Sequence, residues 1–131
     1  MTLDLKRILQ VEDDPDIATL SRLVLEEIGG YEIEQCVTLP EAVGLALNFQ
    51  PQLLLLDYML PGHSGLVIWN AIKMLPGYKD VPAIFLTARA EPELRAKLLG
   101  LGALAVLVKP FDAMKLSSII GNRWRTKAGQ I

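Results

Sequence analysis

The sequence predicts an α/β protein, a doubly wound parallel sheet of five strands with five helices. Two observations carry that expectation. Apolar runs of strand length alternate with segments of helical periodicity, the pattern of repeated strand and helix units. One of those runs, Leu53–Leu56, is apolar at every position, as a strand covered on both faces must be.

The elements follow in order. Arg7–Val11 reads as the first strand and meets Glu12, Asp13, Asp14 and Pro15. Proline suits a first helical turn, and Ile17, Leu20, Val24 and Ile28 recur at helical spacing until Gly29 and Gly30 stop the helix. Tyr31–Val37 is a short alternating strand. Thr38 then caps a helix carrying Ala42, Leu45, Ala46 and Phe49, and Pro51 ends it before the buried strand Leu53–Leu56. Ser64 or Gly65 starts a third helix, to about Leu75. Ala83–Leu86 is the fourth strand, Pro92 opens a helix to near Gly100, Leu104–Val108 is the fifth strand, and the last helix runs from Asp112 to about Arg125.

Composition sets the boundaries of function. A chain of 131 residues can bury one sizeable core, so a single domain 1–131 is expected, its core at about 6–126. With 51% hydrophobic and 21% charged residues it is too apolar to be disordered. No apolar run approaches the roughly 20 residues that span a bilayer, and Met1–Lys6 lacks the apolar core of a secretory signal. A soluble, cytoplasmic protein without membrane contact is expected. The net charge of −2 gives no global basic field for nucleic acid. Cys36 is the only cysteine, which excludes an intramolecular disulfide and reads as a core filler.

In a doubly wound sheet the carboxyl ends of the strands collect at one rim, and ligands bind there. Glu12 and Asp13 follow the first strand, Asp57 ends the third, Thr87 the fourth, and Lys109 the fifth, so all five should converge. Three carboxylates together are costly, since two like charges about 4 Å apart repel by roughly 4 kcal/mol at an effective dielectric near 20. A hard cation relieves that repulsion, and an oxygen-only set suits magnesium. Lys109 and Thr87 could hold the oxygens of a transferring phosphoryl group. A carboxylate can itself be the nucleophile, giving an aspartyl phosphate.

The segments VEDDPDIATL, LLLLDYMLPGHSG, AIFLTARA and VLVKPF resemble, in order and spacing, the four signature segments of response-regulator receiver domains, flavodoxin-like folds of strand order 2-1-3-4-5. The resemblance implies that Asp57 is the phosphoacceptor, that Glu12 and Asp13 are the acidic pair holding magnesium (or manganese in its place), and that Met59 adds a backbone carbonyl to the metal. It implies phosphate contacts from Thr87 and Lys109 and a cis Lys109–Pro110 bond. The implied reaction takes phosphate from a phosphohistidine on a sensor histidine kinase or phosphotransfer protein. A separate downstream protein then reads the changed surface.

Taken singly, each residue has a plainer reading. Acidic residues before a proline usually start a helix, and Asp14 is expected to do only that. A lone threonine at a strand end is mostly a cap, and a lone lysine before proline mostly a loop charge. Their joint occurrence at four strand ends outweighs these readings. His63, the only histidine, is expected to be exposed and idle without a second ligand. Trp69 and Trp124 read as core and partner contacts.

The sequence also departs from the family. Most receivers carry Tyr or Phe three residues before the lysine, where Val106 stands here, so coupling from Thr87 to the surface must rely on backbone and on the fourth helix. The run LLGLGALAVLV offers an apolar patch for a protein partner, or for a homodimer through the face of helix four, strand five and helix five. After Pro110 come one helix and a short basic tail over 123–131, with Arg123, Arg125 and Lys127. That leaves no room for a DNA-binding module, so no direct DNA binding is expected and output is expected from a separate protein or from a further domain, while the three charges complement a helix end. A stand-alone receiver signalling by protein contact is expected, with a constitutive scaffold that uses little or no phosphate as the alternative. An aspartate-dependent phosphatase would need a second acid where Met59 stands. A dinucleotide enzyme would need a glycine-rich turn where EDDPD stands.

Overall fold

A computed structural model describes residues 4–128. Strands β1 (Arg7–Val11), β2 (Glu32–Cys36), β3 (Leu53–Asp57), β4 (Ala83–Thr87) and β5 (Ala105–Val108) alternate with helices α1 (Pro15–Glu27), α2 (Leu39–Phe49), α3 (Gly65–Lys73), α4 (Pro92–Gly100) and α5 (Ala113–Ala128). All five strands pair in parallel, in the order β2-β1-β3-β4-β5. The predicted fold is the observed one.

The sheet divides the interior in two. Leu54, Leu56 and Phe85 face α2, α3 and α4, with Ala42, Ala46, Ile68, Trp69, Ile72, Leu94 and Leu98. Leu53, Leu55 and Ile84 face α1 and α5, with Val24, Leu25, Leu116 and Ile120. All four leucines of β3 are fully buried, each stabilising the fold by roughly 2 kcal/mol. Continuous hydrophobicity in the sequence is thus the signature of a central strand with helices on both sides.

Local chemistry sets the helix ends. The Asp14 carboxylate accepts from the N–H groups of Asp16 and Ile17, filling the helix-start role expected of it. Thr38 and Glu41 form a reciprocal capping box: the Glu41 N–H donates to Thr38 Oγ1 at 3.3 Å, and the Thr38 N–H donates to Glu41 Oε1 at 3.0 Å. Left-handed Gln50 (φ 56°) ends α2 just before Pro51. Between α5 and α1, Ser117 Oγ donates to the Val24 carbonyl at 3.0 Å.

Element edges differ from the sequence reading for identifiable reasons. β2 is one residue shorter at each end, because the Tyr31 N–H closes α1 on the Leu25 carbonyl and the Val37 N–H is taken by Glu41. β3 and β4 each extend one residue further, so Asp57 and Thr87 belong to the strands themselves. β5 begins at Ala105 rather than Leu104. α3 stops at Lys73 and tightens into a turn, with Met74 and Leu75 bonding three residues back. α5 begins after Asp112, whose carboxylate accepts from the Met114 N–H, and runs on to Ala128. A two-residue antiparallel ladder, Met59–Leu60 with His63–Ser64, was not expected.

Cys36 is buried as a core filler, which pushes its thiol up to about 12. Trp69 is buried and donates to the Val81 carbonyl, and Trp124 is half-buried beside the α1/α5 core. His63 corrects its expectation: it lies half-buried in the two-residue ladder, with Nε2 shielded from solvent and without a hydrogen bond. The patch expected along helix four and strand five is also smaller than the sequence implied, since Leu98 and Val106 are buried while Leu99, Leu101 and Val108 are exposed. Arg123, Arg125 and Lys127 are exposed. The leading residues 1–3 and the tail beyond 128 lie outside the described residues. Among the described residues no helix is long and apolar enough to cross a membrane.

Candidate functional site: an acidic rim at the carboxyl ends of the strands

The rim brings Glu12, Asp13 and Asp57 together, with one carboxylate oxygen from each inside a 4.8 Å cluster. Glu12 follows β1, where its N–H extends the sheet by donating to the Cys36 carbonyl at 3.1 Å. Asp13 is exposed, whereas Glu12 and Asp57 are buried. Lys109, which follows β5, reaches across: its Nζ donates to Asp57 Oδ2 at 3.0 Å and to Glu12 Oε2 at 3.1 Å. The same ammonium lies 3.0 Å from Glu12 Oε1, without hydrogen-bond geometry, so that buried oxygen has no hydrogen-bond partner among the described residues. The Lys109–Pro110 peptide is cis, as the resemblance implied.

The charges are unbalanced. Burial pushes the Glu12 carboxyl up to about 7, with Asp57 adding to the rise and Lys109 opposing it. Asp13 is raised by burial and then by Asp57. For Lys109, burial works against the ammonium, but contacts with Asp57 and Glu12 more than offset it and hold the group above its ordinary value. One lysine does not neutralise three carboxylates.

Asp57 is held from both sides of its carboxylate, by Lys109 on Oδ2 and by the Met59 N–H on Oδ1 at 3.1 Å. The side chain of Met59 is exposed. Thr87, fully buried, stands at the end of the adjoining strand, and its Oγ1 accepts from the Arg89 N–H at 2.9 Å. Asp57 and Glu12 are therefore in direct contact with Lys109, Asp13 completes the carboxylate cluster, and Thr87 ends the adjoining strand with its hydroxyl turned to the backbone of the next loop.

Gly65 is a site residue the sequence reading treated only as a helix start. Its N–H donates to the Tyr58 carbonyl at 2.8 Å, and a Cβ there would collide with the Asp57 carbonyl oxygen. The absence of a side chain lets α3 sit directly against the strand that ends in Asp57. The available signal was a glycine eight positions after Asp57 in a loop that must fold back on it.

A profile of the response regulator receiver domain matches residues 8–121. The chain belongs to that family. Receivers are signalling modules of two-component systems in which phosphorylation on aspartate is the general function, and they bind Mg2+ at an acidic pocket. The receiver is 38% identical over 111 residues to the phosphate regulon transcriptional regulatory protein PhoB of Klebsiella pneumoniae, covering 85% of this chain and 48% of that protein. It is 34% identical over 110 residues to the DNA-binding dual master transcriptional regulator RpaA of Synechocystis, covering 84% and 45%. The chain thus spans about half the length of these curated relatives. Among solved structures, a CheY-like receiver domain protein from Methanospirillum hungatei superposes with a TM-score of 0.79 at 31% identity, covering 98% of this chain and all of that one. The chemotaxis response regulator CheY4 of Vibrio cholerae superposes with a TM-score of 0.80 at 27% identity, covering 91% and 98%.

Proposed function

We propose that this receiver takes phosphate from a phosphohistidine onto Asp57 and signals through protein contact. The observation that carries the reading is the acidic cluster itself, in which Lys109 bridges Asp57 and Glu12 while a buried Glu12 oxygen is left without a hydrogen bond. An oxygen-only set that includes a buried carboxylate oxygen making no hydrogen bond fits a hard divalent cation. Glu12, Asp13, Asp57 and the Met59 carbonyl would hold Mg2+, or Mn2+ in its place. Such an ion would neutralise charge on the phosphoryl oxygens and the carboxylates at once.

The chain's own residues supply the rest. One Asp57 oxygen forms the new O–P bond as the P–N bond to the donor imidazole breaks, and the imidazole keeps the electron pair. Lys109, already 3.0 Å from Asp57 Oδ2, meets the negative charge of the incoming group. The Thr87 hydroxyl can rotate to donate to a phosphoryl oxygen while it still accepts from Arg89. The partners in this reading are a sensor histidine kinase or phosphotransfer protein upstream and a separate protein downstream, in the cytoplasm, without DNA or membrane contact. The chain acts as one receiver domain over 1–131, and assists its own phosphorylation without turning over an external substrate.

The test is the intact mass after incubation with a small-molecule phosphodonor, with magnesium and then with chelator. A single phosphoryl adduct that requires both metal and Asp57 is expected. Incorporation unchanged in Asp57→Asn would sink the assignment.

A second reading, a scaffold that binds its partner constitutively, is favoured by one observation. Val106 is buried with no ring to reorient, and Leu99, Leu101 and Val108 remain exposed on the α4/β5 face, which would also serve a homodimer. Partner affinity or self-association that is equal with and without the adduct would select it.

A further inference from the structure

Tyr58, next to Asp57, is anchored by its backbone, and its ring is only half-buried. Its N–H donates to the Leu86 carbonyl and its carbonyl accepts from the Gly65 N–H, both at 2.8 Å. The half-buried ring rests edge-on against Phe85, with centroids 6.3 Å apart. Two clefts meet on it. One, of about 340 Å³, runs along the first turns of α4 past Glu91, Leu94 and Lys97. The other, of about 350 Å³, lies at the 59–64 turn beside Met59 and His63. A cavity of about 150 Å³ is enough for a benzene ring, so each cleft has room for a phenol.

Arg89 lines both clefts. Its guanidinium is paired with Glu91 at 3.2 Å, and both side chains are about half exposed, so the pair holds Arg89 weakly. Its backbone N–H, in contrast, is fixed on Thr87 Oγ1 beside the acceptor. A phosphoryl group on Asp57 puts close to two negative charges where the carboxylate carried one, and it competes with the single charge of Glu91 for the guanidinium.

Resting on the phosphoacceptor reading above, we infer that Arg89 and Tyr58 exchange places when Asp57 is phosphorylated. Arg89 leaves Glu91 and turns toward the acceptor through the cleft at the 59–64 turn. The Tyr58 ring turns into the vacated cleft beside α4. The surface offered to a partner then changes at Tyr58, Glu91, Leu94 and Lys97, with a ring covering the start of α4 and Glu91 released from its cation. The device needs no aromatic residue on β5, where Val106 stands. It places the moving ring one residue from the phosphate.

The test uses the whole chain with 3-fluorotyrosine at its three tyrosines, observed by ¹⁹F NMR, the Tyr58 resonance being assigned with Tyr58→Phe. Intact mass is read on the same sample after treatment with an acyl phosphate and magnesium. The expected result is displacement of the Tyr58 resonance by more than its linewidth on phosphorylation, with Tyr31 and Tyr78 unmoved. Glu91→Gln, which frees Arg89 without any phosphate, should move the same resonance part of the way in the unmodified protein. A full adduct with a stationary Tyr58 resonance overturns the exchange and leaves the acceptor chemistry standing. Absence of the adduct defeats the acceptor reading and the exchange with it. A resonance that moves on phosphorylation but not in Glu91→Gln removes Arg89 from the device and overturns the exchange as stated.

Discussion

Asp57 and Thr87 end neighbouring strands at the same rim, yet the chain after each is held very differently. After Asp57, both polar backbone groups of Tyr58 are bonded, the Met59 N–H returns to the acceptor, a two-residue ladder follows, and Gly65 brings α3 against the strand. After Thr87, residues 88–93 are all exposed, and Glu91, the residue before α4, makes no side-chain capping bond. Only Leu94 and Leu98 of α4 are buried. The difference separates two tasks. In the proposed function, chemistry needs Asp57 fixed to within a fraction of an ångström, whereas a surface that reports a state must be cheap to move.

The largest test of the rigid half is Leu56→Ala, at a fully buried position one residue before the acceptor. Its loss should cost about 4 kcal/mol, from transfer and cavity together. Urea unfolding should show it as a fall in midpoint with little change in slope. A cost below about 1 kcal/mol would mean that β3 is not a rigid element.

Gly65→Ala probes the same half by overpacking. The new Cβ meets the Asp57 carbonyl, so either α3 or the acceptor strand must shift, at about 2 kcal/mol. Because the displaced group is the backbone of Asp57, the proposed acceptor, phosphorylation by a small donor should slow several-fold, beyond what stability alone accounts for. Stability reduced with an unchanged labelling rate would show that α3 yields and β3 does not.

The rigid half was largely legible in the sequence, and the compliant half much less so. LLLLD identifies a doubly covered strand and its emergent carboxylate because four consecutive leucines have no other comfortable place. EDDP and KP mark the rims because prolines and acidic residues end and start elements for local reasons. The ladder of Met59–Leu60 with His63–Ser64 could not be read, since two residues carry no periodicity. The collision that excludes a side chain at Gly65 is tertiary, and so is the shielding of His63 Nε2. Leu98 and Leu99 show the same limit on α4: adjacent and alike in sequence, one is buried and the other exposed. Only the helix's placement on the sheet decides which.

Glu12→Gln tests the electrostatic cost carried by the rigid half. The carboxyl's folded value, about 7, lies above its ordinary one, so between about pH 4.5 and 7 the folded state binds more protons than the unfolded state. Stability from this group is therefore present at low pH and is lost as pH rises through that window. The neutral amide removes the penalty. Without metal, Glu12→Gln should be more stable than the parent by on the order of 1 kcal/mol at pH 8, with the advantage vanishing near pH 4.5. Magnesium should stabilise the parent more than the variant, since the variant lacks one of the three clustered carboxylates. Thermal melts at the two pH values, with and without magnesium, check both signs. A variant less stable than the parent at pH 8 without metal would contradict the cluster's charge imbalance.

The smallest effect sharpens the comparison most. Arg95 Nη1 donates to the Val106 carbonyl at 2.9 Å, a polar tie between α4 and β5 added to the anchors Leu94 and Leu98. Because the arginine is otherwise exposed, Arg95→Ala should cost only about 0.5 kcal/mol globally. The cost should not be spread evenly. Amide exchange should quicken several-fold within α4, where local opening needs little more than the release of two leucines, and should be unchanged in β3, which opens only when the whole domain unfolds. Uniform acceleration across both would mean that α4 and β3 form one cooperative unit. A partner reading α4 would then be reading the acceptor's own rigid frame, and the division of labour between the two halves of the rim would not hold.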